Sequence, residues 1–473
     1  MSRFSSSSSR RAKIVATLGP GSASPDTIRL LAETGVDVFR LNFSHGDHAG
    51  HKRAYEFVRA ASDRLGRTLG VLGDLQGPKI RVGAFEGGGI SLRFHGQYKL
   101  ISGSESRGDE IAMPHPEILE VLEEGDRILL DDGKLQLTVM TAAKGRSRKI
   151  SVRADIPGKL TDKKGFTIVG KTIPVPALTE KDKDDLAFAC DLGVDFIALS
   201  FVQSRNDLDE ARELMGGRGR LVAKVEKPAA IDNLEDIIAA ADAVMVARGD
   251  LGVEFPPERV PILQRRVVRA SRAAGKPVIV ATHMLESMVE SSSPTRAEAS
   301  DVATAIYQGA DAIMLSSETA VGRHPATAVA IMDRIVKAVE EDADYQRSTY
   351  SFAPKSTQPI VGPDVLAEAV NALARLHECD CIFVSTAHIS VLSRFSRARP
   401  QHRLITHAQE ITKLAHQSLF WGVEALNVGG KIGRTELLAA LKSQLNGQSA
   451  RIACAFEDSD TQSEAWRLEV LTL

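Results

Sequence analysis

The sequence predicts an α/β fold: a closed (β/α)8 TIM barrel, a small β-barrel-like lid domain inserted into it, and a C-terminal α/β domain. Three observations predict it. Eight short apolar runs each end in polar or charged residues, a stretch of alternating pattern interrupts them after the third, and a second, smaller α/β pattern follows the eighth. The runs are KIVATLG (13–19), VFRLNF (38–43), LGVLGDL (69–75), DFIALSF (195–201), LVAKVE (221–226), AVMVARGD (243–250), PVIVATH (277–283) and AIMLSSE (312–318). Strands buried on both faces read as near-continuous Val/Ile/Leu runs. Helical patterns with Gly and Pro punctuation separate most of them. In a closed parallel barrel the chemistry sits at the carboxyl ends of the strands. Those ends carry Arg40, Asn42, Asp74, Lys224, Glu226, Asp250, Thr282 and Glu318.

The third and fourth runs lie too far apart for one βα loop. Between them, 90–94, 98–102, 126–142 and 149–155 alternate apolar and polar residues around Gly/Asp turns, an antiparallel pattern. Residues 83–175 are therefore expected to form a β lid at the barrel mouth. The barrel pattern resumes with ALTEKD, where Thr179 caps a helix and Asp182 follows three residues on. It continues to a helix ending near Asp344, and 350–363 has linker composition. From Asp364 a helix, a strand at 380–387 and four further strand candidates predict a smaller α/β layer. The expected division is 1–82 with 176–345 for the barrel, 83–175 for the lid and 355–473 for the C-terminal domain.

The chain has 473 residues, 43% hydrophobic and 25% charged, with a formal net charge of −2. That is a globular composition without the basic footprint of a nucleic-acid or anionic-membrane binder. No segment approaches the length of a membrane span. The basic, Ser-rich start lacks the apolar core of a secretory signal and reads as a frayed tail, with a transit peptide the weaker alternative. Cys190, Cys379, Cys381 and Cys454 are too sparse for a disulfide framework and fit core packing in a reducing, cytoplasmic setting. Cys379 and Cys381, two apart, are expected to share one face.

Each motif has an ordinary reading beside the functional one. Lys224 and Glu226 in VAKVEKP share a strand face, where an internal ion pair is the plain alternative to a ligand site. Arg248-Gly249-Asp250 can be an ordinary turn, or a close backbone approach whose free N–H groups bind an anion. Glu226 and Asp250 are hard oxygen donors of the kind that hold Mg2+ together with substrate oxygens. Thr282 alone reads as a helix cap, and His45 as a turn residue. Arg40 suits phosphate or carboxylate recognition. Lys79 and Arg81 follow a Gly77-Pro78 turn that leads into the insertion. Thr295 and Glu298 read as a structural capping box. Together, cations, two carboxylates, an anion-binding turn and a hydroxyl at one mouth fit Mg2+-assisted phosphoryl transfer. No Walker A motif and no kinase Gly-rich loop is present.

At these residues the sequence resembles the pyruvate kinase family. KIVATLGPGS, VFRLNFSHG, GDLQGPKIRVG, DKKGF, ALTEKD, VAKVEKP, VMVARGDLGVE, ATHMLESM, SPTRAEASDVA and IMLSSETAVGRHP occur in order and cover the barrel almost end to end. The resemblance implies transfer of phosphoryl from phosphoenolpyruvate to ADP, giving pyruvate and ATP, with Mg2+ (or Mn2+). It implies that Lys224 stabilises the migrating phosphoryl group and that Glu226 and Asp250 ligate the metal. Ala247, Gly249 and Asp250 would hold the substrate carboxylate, and Thr282 would sit by the carbon that is protonated. Arg40 and Arg81 would contact phosphates, Lys164 would reach the nucleotide from the lid, and Thr17, Pro20 and His45 would flank it. A cytoplasmic homotetramer is implied by resemblance alone.

The sequence departs from the family in places. The monovalent-cation site matches Asn42, Ser44, Asp74 and the carbonyl of Leu75. Lys79 stands where K+-dependent members carry Glu, so its ammonium is expected to replace K+. His283 stands where the family commonly has Gln. STAHIS (385–390) and the last segment lack the phosphate-binding strings of sugar-phosphate-activated members, so fructose 1,6-bisphosphate is not expected to activate. The rival readings are a Mg2+-dependent enolate lyase or aldolase on the same barrel, and a non-catalytic binding paralogue.

Overall fold

The computed structural model describes residues 10–131, 133–141, 150–171, 175–351, 362–386, 388–407, 414–426, 428, 433–445, 449–458 and 465–473. The Ser-rich start, most of the expected linker, Ala387 of STAHIS and residues 459–464 lie outside them.

Eight strands close the barrel: β1 Lys13–Leu18, β2 Val38–Asn42, β3 Gly70–Asp74, β4 Phe196–Leu199, β5 Arg220–Val225, β6 Ala243–Ala247, β7 Val278–Ala281 and β8 Ala312–Leu315. All neighbours are parallel and β8 pairs with β1, which removes the sheet edges. The eight apolar runs therefore map onto the eight strands. Each run carries on past the end of its strand, furthest at β6 and β8: β6 stops at Ala247 and Arg248-Gly249-Asp250 opens a helix that spans Arg248–Glu254. An apolar run marks burial but not where the backbone turns.

Strand period explains how the site forms. Val15, Val38, Leu72, Ala198 and Val222 belong to one packed cluster filling the barrel interior. Side chains two apart share a face. The next positions on that face are Thr17, Arg40, Asp74, Ser200 and Lys224, followed by Asn42 and Glu226. The lumen is thus apolar below and polar at the mouth. Leu419 of the C-terminal region packs into the interior cluster.

The inserted segment has its own apolar core and a six-stranded sheet from Gln97–Ser102 to Phe166–Ile168. The expected antiparallel pattern holds for four of its pairings. It fails for Gln97–Ser102 with Glu110–Met113, which run parallel because the chain crosses over through Glu105–Ser106. Alternation reports a half-buried face and is blind to strand direction. The lid touches the barrel where strand Phe166–Ile168 meets helix Arg248–Glu254.

The C-terminal sheet has the order Val423–Ala425, Arg403–His407, Cys381–Ser385, Arg451–Asp458, Ala465–Thr472, with only the last pair antiparallel. All four cysteines are free and buried. Cys379 and Cys381 do not share a face. Cys379 precedes the strand and packs with Ile382 and Val384, whereas Cys381 packs with Phe383 and Cys454 on the other side. Both expected helix starts carry capping boxes, Thr179 with Asp182 and Thr295 with Glu298. The helix expected to end near Asp344 closes at Glu341, and another spans Ala343–Ser351. No helix among the described residues is long and apolar enough to cross a membrane.

The base of the barrel is joined to the C-terminal sheet by buried polar contacts. Arg399 Nη2 donates to Asp311 Oδ1 at 2.7 Å and to Gly309 O at 3.0 Å, and Lys13 Nζ donates to Val423 O at 2.8 Å. The Arg399 side chain is 2% exposed. Removing one member of such a pair strands the other charge in low dielectric. Asp311→Ala is expected to lower unfolding stability by about 3 kcal/mol, read as a fall in the urea midpoint. An unchanged midpoint would mean that the pair carries no stability.

Candidate active site

Lys224 is the centre of the mouth. Its Nζ donates to Ser200 Oγ at 2.6 Å, lies 3.2 Å from Asp74 Oδ1 and 3.6 Å from Glu226 Oε2. Burial alone would strip its proton. The carboxylates of Asp74, Glu226 and Asp250 outweigh that and hold the ammonium above the usual lysine range. Asp74 is gripped from the other side by Arg40 Nε at 2.7 Å, and Arg40 Nη1 donates to Thr17 Oγ1 at 3.1 Å. Burial would raise the Asp74 carboxyl, but Lys224 and Arg40 keep it below the usual range.

Glu226 behaves oppositely. It is fully buried, and its Oε1 accepts the Phe201 N–H at 2.6 Å while Oε2 has no hydrogen-bond partner. Burial, against the pull of Lys224 and aided by repulsion from Asp250, pushes its pKa up to about 7. An under-coordinated carboxylate repelled by a second one suits a divalent ion. Among the described residues no three His, Cys, Asp or Glu side chains converge into a metal cluster. Two carboxylates completed by substrate oxygens and water is the usual protein share for Mg2+. Glu226 and Asp250 fit that ion.

The turn after β7 is strained. Thr282 and His283 have φ of 68° and 53°, a region non-glycine residues adopt at a cost of roughly 1–3 kcal/mol each. Arg248 holds it there. Its Nη2 donates to Thr282 O at 2.6 Å, its Nε to Ala281 O at 3.2 Å, and its Nη1 to Asp301 Oδ2 at 2.6 Å. The Thr282 hydroxyl then donates to Ala281 O at 2.6 Å and accepts the Gly249 N–H at 2.7 Å. No helix follows directly, so Thr282 is not the helix cap of the ordinary reading. One of the expected anion-binding N–H groups is already engaged by its hydroxyl.

Other expected residues are placed as follows. Lys79, Arg81, Lys164 and Asp250 line a cleft of about 260 Å3 between barrel and lid. Burial lowers the Lys79 pKa against the pull of Asp250, and Arg81 and Lys224 lower it further. Lys164 pairs with Asp131 at 2.8 Å, and Arg81 donates to Lys163 O at 2.7 Å. Asn42 Oδ1 accepts the Ser44 N–H, and Leu75 O accepts the Ser200 hydroxyl. The Thr17 hydroxyl is directed inward to Leu315 O at 2.9 Å. Pro20 and His45 are exposed on the rim, and no hydrogen bond ties either to the Lys224 cluster. Glu318, counted with the strand ends, is a structural residue. It is fully buried and accepts the N–H groups of Leu285 and Ser316, because the short helix Ser317–Ala320 turns it away from the lumen.

Several site residues were missed. Ser200 bridges Lys224 to Leu75 O, and Phe201, at φ 59°, points its N–H at Glu226. Phase counting from Ala198 would have found Ser200. Lys227 bonds Glu254 at 2.5 Å and lies over the Phe201 ring at 4.4 Å, tying helix Arg248–Glu254 to the end of β5. In the sequence Arg248 reads only as part of the Arg248-Gly249-Asp250 motif, and nothing local marks its grip on the turn after β7 or the Lys227–Glu254 pair, because the partners are far away in sequence.

Comparison with known proteins supplies the family context. Residues 9–329 match the family profile described as pyruvate kinase, barrel domain. A pyruvate kinase of Agrobacterium vitis is 44% identical over 421 residues, covering 89% of this chain and 88% of its own. One from Mycobacterium tuberculosis strain H37Rv is 46% identical over 407 residues, covering 82% and 86%. The crystal structure of a pyruvate kinase from Cryptosporidium parvum superposes with a TM-score of 0.90 at 29% identity, covering 98% and 96%.

If Glu226 is a metal ligand it must be ionised to bind, and burial pushes its metal-free pKa up to about 7. Mg2+ affinity of the substrate-free protein is therefore expected to be about tenfold weaker at pH 6 than at pH 8, measured calorimetrically, and Glu226→Gln should remove most of that difference. The same raised pKa favours the metal-free fold below the unfolded glutamate value. That contribution is lost as pH rises through about 7. Equal Mg2+ affinity at the two pH values would contradict the assignment.

Proposed function

This chain belongs to the pyruvate kinase family, and from that premise we propose that it moves the phosphoryl group of phosphoenolpyruvate to ADP. The bond from phosphorus to the enol oxygen breaks and one to a terminal ADP oxygen forms. The enolate left behind takes a proton on its terminal carbon, and pyruvate and ATP leave. The observation that carries this reading is the Lys224 ammonium, kept charged at the floor of the mouth by three carboxylates. A fixed cation there offsets the negative charge of the migrating phosphoryl group without solvent having to reorganise.

Around it, Arg40 is braced by Asp74 and Thr17 for a phosphate oxygen, and the backbone of Ala247, Gly249 and Asp250 would meet the substrate carboxylate, the Gly249 N–H being shared with the Thr282 hydroxyl. The Thr282 hydroxyl, fixed by Ala281 O and the Gly249 N–H, would sit by the enolate carbon. Arg81 and Lys164, which both line the barrel–lid cleft, would reach the nucleotide phosphates, and the exposed Pro20 and His45 would flank the nucleotide. Mg2+ (or Mn2+) would be held by Glu226 and Asp250 and would supply charge neutralisation. The division into a barrel (1–82 and 176–345), a lid (83–175) and a C-terminal unit (355–473) belongs to the same proposal, as do a homotetrameric assembly and a cytoplasmic place in glycolysis. An enolate lyase or a silent paralogue accounts less well for a lid that carries Lys164 over the mouth.

The Lys79 ammonium feels the charges of Asp250 and Asp74, and this attraction supports the reading in which it takes the place of K+ at the site matched by Asn42, Ser44, Asp74 and the Leu75 carbonyl. At the strand ends of the C-terminal sheet, Glu457 accepts from Thr386 Oγ1 at 2.8 Å and lies 3.2 Å from His388 Nε2. A carboxylate there disfavours a sugar phosphate.

Lys224→Met is expected to cut ATP formation from phosphoenolpyruvate and ADP by far more than about tenfold, or roughly 1.4 kcal/mol. A smaller loss would discredit the role. In a coupled assay the parent protein is expected to turn over in K+-free buffer and to ignore fructose 1,6-bisphosphate. Strong stimulation by K+, or a leftward shift of the phosphoenolpyruvate curve with the sugar phosphate, would refute those two points.

A further inference from the structure

At the end of the barrel opposite Lys224, the starts of β5, β6 and β7 face the C-terminal helix Ile389–Arg397 across two adjoining cavities of about 160 Å3 and 10 Å3. The two share Gly275, Lys276, Pro277, Ser393 and Phe420. Six cationic side chains line them (Arg220, Arg272, Lys276, Arg394, Arg397 and Arg399) against two lining carboxylates, Asp242 and Asp311, and a third behind them, Asp364, which pairs with Arg397 at 2.8 Å and lies 3.8 Å from Arg394. Buried charge of one sign is costly unless something neutralises it.

Arg272 is the anomaly. Its Nε and Nη2 are shut away from water and have no hydrogen-bond partner. Asp311, which supports its charge, is already bonded to Arg399 Nη2 at 2.7 Å. Arg399 itself is 2% exposed, and its Nη1 is buried without a partner. Burial, together with repulsion from Arg399, pushes the Arg272 pKa down to about 10. Two glycines let the guanidinium groups approach the backbone this closely. A Cβ on Gly309 would lie 2.5 Å from Arg272 Nη1, and one on Gly275 would lie 3.2 Å from Arg394 Nη1. A guanidinium left without acceptors in a native interior calls for a missing one.

We propose that this junction is a binding site for a tetrahedral oxyanion, phosphate or the phosphate group of a small monoester, held by Arg272, Lys276, Arg394 and the Ser393 hydroxyl. The bound anion would bridge the barrel base to the C-terminal unit. It would complete the donors of Arg272 and relieve the repulsion between Arg272 and Arg399.

The test is thermal unfolding of the full chain in inorganic phosphate and in chloride at matched ionic strength, for the parent protein, Arg272→Gln and Arg394→Gln. Phosphate is expected to raise the parent Tm by roughly 2 °C or more beyond chloride, and most of that excess should vanish in both variants. Arg272→Gln removes an unpaired buried charge, so its phosphate-free Tm should equal or exceed the parent's. Phosphate held at the active site acts on all three proteins alike. An equal excess in parent and variants therefore overturns the proposal, as does no excess over chloride in the parent. Glycerol phosphate, run as a further arm, separates the sources: a larger excess than with inorganic phosphate identifies a monoester site, and a smaller one identifies free phosphate.

Discussion

An ammonium buried among carboxylates is the interaction on which the rest of the mouth depends. Lys224 would be neutral in an apolar lumen. It stays charged because Asp74, Glu226 and Asp250 surround it, and Asp74 stays charged because Lys224 and Arg40 face its two oxygens. Neither ion pair is a simple gain in stability, since desolvating both partners offsets most of the attraction. The arrangement instead keeps one cation fixed in a water-poor site before any substrate arrives. Glu226 bears the consequence. With Lys224 shared and Asp250 nearby, one of its oxygens is left without a hydrogen bond.

The walls of the mouth are held by long-range contacts that the chemistry does not use directly. Arg248 bonds successive carbonyls of the turn after β7 and keeps Thr282 and His283 in left-handed backbone. Lys227 and Glu254 anchor the helix that begins with Arg248 to the end of β5. The strained turn and the short helix thus brace each other, and the Thr282 hydroxyl bonded to Gly249 N–H is the point where they meet. Strain of this kind persists only where the surroundings over-determine it.

The two ends of the barrel use opposite electrostatic solutions. At the mouth, carboxylates surround a lysine. At the base, arginines of the barrel and of the C-terminal unit crowd around few acids, and Arg399 lies over the Trp421 ring at 4.4 Å as well as on Asp311. The C-terminal unit is therefore joined to the barrel by charge as well as by the apolar plug of Leu419.

Much of this was legible in the chain. The eight apolar runs, the capping boxes at Thr179 and Thr295 and the pairing of Lys224 with Glu226 on one face follow from local chemistry and from a side-chain period of two, which need no knowledge of the fold. The same period, carried one step past each apolar lumen residue, predicts Thr17, Arg40, Asp74 and Ser200 as well. What the sequence by itself could not determine depends on partners distant in the chain or on the backbone turning. The end of β6 at Ala247, the outward turn of Glu318, the opposite faces of Cys379 and Cys381 and the parallel pair in the lid are of this kind. So are the grip of Arg248 on the turn after β7 and the unpaired guanidinium of Arg272. Periodicity encodes which face is buried. Only the closed barrel decides which distant groups meet there, because an ion pair between residues tens or hundreds of positions apart leaves no mark on the sequence around either one.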